Sequence, residues 1–260
     1  MRKPSPRPAT TLLAAIALTT LAATALIPVS ATPAAAVRGG TVTSTAAHPF
    51  MVVLQNPDGS QWCGGALVAP DKVLTAGHCV ENSPDPKALT VIGGRTDLTT
   101  RAGQTRHVEA IKVDPKFDIS TLDHDAALIT LDRPLPYRPV RVATKKDAAL
   151  YADGRRATVY GWGLTDTGVP GQKLKQATLT LAPLTGCQPF TNPGDDPALR
   201  VCGLPAKGTA DSICAGDSGG PLVENGVLIG VVSTGNKYCD TQYPVSVFTK
   251  ASTVGPELDL

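Results

Sequence analysis

PLVENGVLIGVVST (221–234) is two apolar runs joined by Asn225-Gly226. Asn-Gly tolerates the positive φ of both central positions in a tight hairpin turn, so this stretch predicts two antiparallel strands. Outward from it the same texture recurs. PFMVVLQ (49–55), KVLTA (72–76), LTVI (89–92), HVEAIKV (107–113) and AALITL (126–131) are short and apolar, as are ATVYG (157–161), KQATLTL (175–181) and VSVFTK (245–250). Many are rich in Val, Ile, Leu and Thr, which fit a pleated, half-buried surface. Loops at 82–87, 165–172 and 191–197 carry Pro, Asp and Gly, and no long amphipathic helical pattern stands out. An all-β sandwich or barrel is expected. The Pro- and charge-rich segment 132–147 reads as a linker between two halves.

Composition agrees. Of 260 residues, 42% are apolar and 18% charged, enough apolar material for a packed core and too little charge for disorder. The 25 Gly and 23 Pro suit a turn-rich chain. The formal net charge of +2 comes from the N-terminus: residues 1–36 hold Arg2, Lys3 and Arg7 and no acid, leaving 21 basic against 22 acidic residues beyond them. Such a chain lacks the basic footprint of a nucleic-acid binder. Its His and Cys are too scattered for a metal finger, so no metal and no cofactor are expected.

The N-terminus runs MRKPSPRP, then ATTLLAAIALTTLAATALI, then PVSATPAAA. A basic start, an apolar run and a small-residue tail read as a secretory signal peptide rather than a membrane anchor. Cleavage after Ala31 makes residues 1–31 the signal and 32–36 a short propeptide, whereas cleavage after Ala36 leaves no propeptide. Export to the extracellular space permits disulfides, and six Cys leave no obligatory free thiol.

Three motifs carry candidate chemistry. Leu74-Thr75-Ala76-Gly77-His78-Cys79 sets a His after a strand. Asp125-Ala126-Ala127-Leu128 opens an apolar strand with an acid, although Asp118 and Asp123 lie close enough to compete. Gly216-Asp217-Ser218-Gly219-Gly220-Pro221 is a Gly-rich turn carrying a Ser. Each alone has a bland reading, as a core His, a turn acid or a solvated Ser. Together, in the order His, Asp, Ser, they resemble the chymotrypsin-like (trypsin-fold) secreted serine peptidases, bacterial type. Trp62-Cys63-Gly64-Gly65, Gly161-Trp162-Gly163 and Val232-Ser233-Thr234-Gly235 extend the resemblance over nearly all of 37–250.

The resemblance implies two packed antiparallel β-barrels in a peptidase domain of residues 37–260, split at about 140, with the active site between them. It implies an acyl-enzyme mechanism: Ser218 as nucleophile, His78 as base and then acid, Asp125 as the group that orients the imidazole. Gly216 and Ser218 would supply the oxyanion-hole N–H groups, and Ser233 would support the aspartate. A histidine base must be neutral, so activity would rise toward neutral pH. Disulfides Cys63–Cys79, Cys187–Cys202 and Cys214–Cys239 are implied likewise. So is an activation pair, in which a freed Val37 amine meets Asp217. Arg38 departs from the family's second Val or Ile and leaves a cut after Arg38 open.

Pocket residues by family spacing are Ser212 at the floor, Ser233, Gly235 and Ser246. A neutral floor implies a chymotrypsin-like preference for a large apolar residue before the scissile bond (P1). Asp211 at the floor would make it trypsin-like, and a shallower pocket elastase-like. Expected partners are protein or peptide substrates and protein inhibitors, with no nucleic acid and no membrane after signal removal, the protein being a monomer. The rival readings are a non-catalytic binding homologue and a disulfide-stapled adhesion module. Thr234 stands where the family commonly has Trp, which implies altered upper subsites. The short end 251–260, with Pro256, leaves little room for the usual terminal helix.

Overall fold

The computed structural model describes Met1 and residues 37–83, 85–165, 168–236, 238–239 and 242–260. The signal and propeptide expectations lie outside these residues. The described chain forms two closed six-stranded antiparallel barrels.

A short strand β1 (Thr41–Val42) precedes the first barrel, whose strands are β2 (Met51–Gln55), β3 (Gln61–Ala69), β4 (Lys72–Thr75), β5 (Thr90–Gly93), β6 (Gln104–Val113) and β7 (Ala127–Leu131). They close in the order β2-β3-β4-β7-β6-β5. After β8 (Arg141–Val142), the second barrel uses β9 (Arg156–Gly161), β10 (Lys175–Ala182), β11 (Arg200–Pro205), β12 (Pro221–Glu224), β13 (Val227–Gly235) and β14 (Ser246–Lys250). Its order β10-β11-β14-β13-β12-β9 closes where β9 pairs with β10. Asn225 (φ 50°) and Gly226 (φ 76°) form the turn between β12 and β13, as the sequence predicts.

Side-chain alternation explains the apolar runs. In β2, Val52 and Leu54 face the first barrel's core with Leu67, Leu74, Ile129 and Leu131. Met51 and Val53 point the other way, into a cluster with Tyr160, Trp162, Leu174 and Val223 of the second barrel. Both faces of β2 are therefore buried, which is why PFMVVLQ lacks polar alternation. The second core gathers Val159, Leu179, Leu222, Ile229 and Phe248. The buried seam indole of Trp162 donates Nε1–H to the Thr96 carbonyl at 3.1 Å.

Two expectations change. Segment 132–147 is more than a linker: Leu135 and Val140 enter the first core, and β8 pairs parallel to β13. The chain end does pack, through a single turn α2 (Ala251–Val254) and a 3₁₀ turn, Pro256–Leu258. Ala251, Val254 and Leu258 are buried against the first core, so the terminus ties the barrels together. Leu258→Ala should therefore cost about 2–5 kcal/mol, measured by urea unfolding of an inactivated chain; a change under about 0.5 kcal/mol would mean the end does not dock.

Candidate active site

The three motifs meet in the cleft between the barrels. His78 lies on the short helix α1 (Gly77–Glu81) that follows β4. Asp125 lies just before β7, fully buried. Its Oδ1 accepts the His78 backbone N–H at 2.8 Å, and its Oδ2 lies 2.8 Å from His78 Nδ1. The Ser233 hydroxyl of the second barrel donates to the same Oδ2 at 2.6 Å. A buried carboxylate must be hydrogen-bonded to stay charged, and these three contacts supply that. The competing acids are engaged elsewhere: Asp118 accepts from Ser120, and Asp123 pairs with Arg200. His124 Nδ1 lies 3.1 Å from Asp114 Oδ2, and His48 Nε2 lies 3.0 Å from Gln176 Oε1.

Ser218 and His78 line one cavity of about 570 Å³, with Trp62, Ile119, Leu122 and Ile213 among its walls. Ser218 Oγ makes no hydrogen bond to His78 among the described residues; such bonds commonly tighten when substrate enters. The Ser218 turn is held by its backbone. Gly64 N–H donates to the Ser218 carbonyl at 2.8 Å, and Gly219 N–H to the Val232 carbonyl at 2.9 Å. Gly219 (φ 77°) cannot carry a side chain, since a Cβ there would lie 2.2 Å from Thr75 Oγ1.

Among the described residues, the N–H groups of Gly216 and Ser218 donate to no protein atom, while those of Asp217, Gly219 and Gly220 do. Their directions are nonetheless fixed, because a peptide is planar and its C=O and N–H point oppositely. Leu164 N–H holds the Ala215 carbonyl at 2.7 Å, which aims Gly216 N–H; Gly220 N–H holds the Asp217 carbonyl at 3.0 Å, which aims Ser218 N–H. Gly216 needs φ 90° to do this. Gln61, which sequence reading missed, donates Nε2–H to the Gly216 carbonyl at 2.6 Å. Its position before Trp62-Cys63-Gly64-Gly65 was the available signal.

The pocket residues divide. Ser233 and Gly235 line the cavity, whereas Ser212 and Ser246 are fully buried beneath it. Asn236 Nδ2–H donates to Ser212 Oγ at 2.9 Å, and Ile213 N–H to Ser246 Oγ at 3.1 Å. Ile213, Cys214 and Ala215 line the cavity in that region. Asp211 lies against Gly39, whose Cβ would fall 2.2 Å from Asp211 Oδ1. Burial raises its pKa, opposed by a Thr209 hydrogen bond and by the charges of Arg38 and Lys175.

Val37 is fully buried among Ile213, Val159 and Phe248. The fully buried Asp217 accepts Gly163 N–H on Oδ1 and Cys214 N–H on Oδ2, both at 2.8 Å. Burial pushes its pKa up to about 7, partly offset by those two N–H groups. The cysteines pair as Cys63–Cys79, Cys187–Cys202 and Cys214–Cys239, stapling the His78 helix, the β11 loop and the pocket walls. With Cys63 and Cys79 joined, their closeness to His78 is no metal site.

A double barrel with a carboxylate-held His facing a Ser across the cleft is the architecture of the chymotrypsin-like hydrolases. The Trypsin family model matches residues 37–256. The chain is similar to trypsin of Saccharopolyspora erythraea, 38% identical over 200 residues, covering 76% of this chain and 86% of that protein. Trypsin epsilon of Drosophila erecta is 33% identical over 213 residues, covering 79% and 80%. Among solved structures, human heparin binding protein superposes with a TM-score of 0.67 at 26% identity, over 85% of this chain and 94% of that one. The chain belongs to the trypsin family and is a serine endopeptidase.

Asp217 carries a pH signature. With its pKa above the unfolded value, the folded uncleaved chain binds more protons between about pH 4 and 7, so stability falls as pH rises through that window, by up to about 1.4 kcal/mol per pH unit. Unfolding of an uncleaved Ser218→Ala chain at pH 5 and 7 should show this loss, and Asp217→Asn should flatten it. Equal slopes in the two chains would mean Asp217 is not buried without a cation.

Proposed function

We propose that the protein hydrolyses peptide bonds through Ser218, His78 and Asp125. The observation that carries this is the buried Asp125 carboxylate, held by His78 and Ser233, beside a Ser218 turn whose two flanking N–H groups are free and aimed. A Ser hydroxyl is a weak nucleophile near neutral pH, so His78 Nε2 takes its proton as Oγ attacks the substrate carbonyl. The oxyanion that forms accepts from Gly216 and Ser218 N–H, each such donor being worth about 3 kcal/mol in the transition state. His78 then protonates the leaving amine, and water repeats the sequence on the acyl-enzyme. Asp125 keeps Nδ1 protonated and stabilises the imidazolium.

The P1 side chain is apolar. Ile213 faces the cavity, and the hydroxyls of Ser212 and Ser246 are consumed beneath it. The relatives carry the name trypsin, yet the acid nearest the floor, Asp211, lies against the segment 38–39. The substrate backbone pairs with Ser233–Gly235 as an added strand. Protein substrates and protein inhibitors are the partners, and the enzyme is secreted. Among the described residues no helix is long and apolar enough to cross a membrane.

Activation follows from Asp217. Cleavage before Val37 frees an amine whose ammonium pairs with the Asp217 carboxylate, which meets no cation among the described residues. Val37 already occupies a buried apolar site, so its new terminus has an anchor.

The test is a set of fluorogenic peptides differing only at P1, with Leu, Phe, Ala or Arg, run on the chain beginning at Val37. Leu or Phe should exceed Arg by at least about 100-fold, since the floor offers a guanidinium no counter-charge. Ser218→Ala should abolish turnover, and Asp125→Asn should lower kcat about 10⁴-fold, the order known for such triads. Arg as the best P1 residue would overturn the apolar pocket. Turnover surviving Ser218→Ala would overturn the triad.

A further inference from the structure

Arg38 grips the segment that runs under the P1 cavity. Its Nη1–H donates to the Ala210 carbonyl at 2.7 Å, and its own carbonyl accepts Ser212 N–H at 3.1 Å. Arg38 and Ser212 form an isolated antiparallel bridge at this point. The two bonds hold the chain on either side of Asp211. A Val or Ile at position 38 could keep the backbone bond but has no donor for the Ala210 carbonyl.

Between those bonds, Asp211 and Ser212 take opposite directions, as successive side chains do in extended chain. Ser212 is fully buried, and its Oγ accepts from Asn236 Nδ2 beneath the cavity. Asp211 lies against Gly39, where a Cβ would fall 2.2 Å from its Oδ1 and 3.3 Å from its Cα. Gly39 has φ 73°, a conformation that glycine adopts at no steric cost. Lys175 Nζ donates to the next carbonyl, that of Gly40, at 2.7 Å. The charges of Arg38 and Lys175 both act on Asp211 and favour its ionised form, Arg38 the more strongly. A carboxylate thus sits one residue from the pocket floor, turned toward two cations and away from substrate. A slip of this segment by one residue would exchange the two faces and bring Asp211 to the place of Ser212. The bond from Arg38 to the Ala210 carbonyl resists that slip, and its charge removes the reason for it.

Resting on the proposed endopeptidase activity and its apolar P1 pocket, we infer that Arg38 is a positioning residue for substrate selection, which holds Asp211 against the 38–40 segment and so keeps a carboxylate from the floor that P1 meets. The test measures kcat/KM on chains beginning at Val37, with two fluorogenic peptides identical except for Leu or Arg at P1. In Arg38→Met the Arg-to-Leu ratio should rise at least about tenfold over wild type, the size of one hydrogen bond to a charged group. Adding Asp211→Asn to that variant should return the ratio to the wild-type value. A general loosening of the fold would instead lower both substrates together, and Asp211→Asn would not reverse it. Asp211→Asn alone should leave the ratio unchanged, because the carboxylate does not meet P1 in the wild type; this variant decides the matter if Arg38→Met fails to fold. An unchanged ratio in Arg38→Met, a rise that survives the added Asp211→Asn, or a fall in Asp211→Asn alone would each overturn the inference. With a wild type that favours Leu, those outcomes remove the role of Arg38 and leave the apolar pocket standing. A wild type that favours Arg, or that a fluorophosphonate does not label at Ser218, overturns the underlying reading and this inference with it.

Discussion

The buried carboxylate of Asp125 is the constraint on which the site depends. It lies just before β7 of the first barrel yet takes a hydrogen bond from Ser233 of the second. A charge at zero exposure survives only if its oxygens are satisfied, so the two barrels are held in one register at this point. That register puts the His78 helix opposite the Ser218 turn. The seam cluster of Met51, Val53, Tyr160 and Trp162 supplies the apolar area, but area alone is non-directional. The hydrogen bonds to Asp125 make the alignment specific.

A second buried carboxylate plays the complementary part. Asp217 is bonded through backbone N–H groups from Gly163 and Cys214 and, among the described residues, meets no cation. Burial raises its pKa, and the two N–H groups offset that only in part. Asp125 is thus bonded by His78 and Ser233, whereas Asp217 is bonded by two backbone N–H groups alone among the described residues.

Much of this was legible in the sequence, for identifiable reasons. The β12–β13 hairpin was announced by Asn225-Gly226 because positive φ is a local property of those two residues. The strands β2, β4 and β7 were visible because burial on both faces removes polar residues. The strands β3 and β11 were not picked out: QWCGGALVA and RVCGLP contain the Gly and Pro that normally break strands. In β3 those glycines make room, since a Cβ at Gly64 would meet Gly220 at 3.2 Å. Ser212 and Ser246 were read by spacing as pocket lining, but spacing gives the backbone position and not which side chain reaches the cavity. Arg200 could not be found from local pattern, because it acts on a segment more than 75 residues away.

The division between what was legible and what was not has a physical basis that bears on specificity. The chemistry is fixed largely by backbone groups, whose hydrogen bonds require glycines and tight turns at set places and so leave a motif. Other contacts around the cleft are made by side chains that meet only in three dimensions, such as Arg200 against Thr121 and Asp123, or Asn236 against Ser212. The scaffold can then alter the substrate side chains it accepts while the reacting atoms keep their geometry.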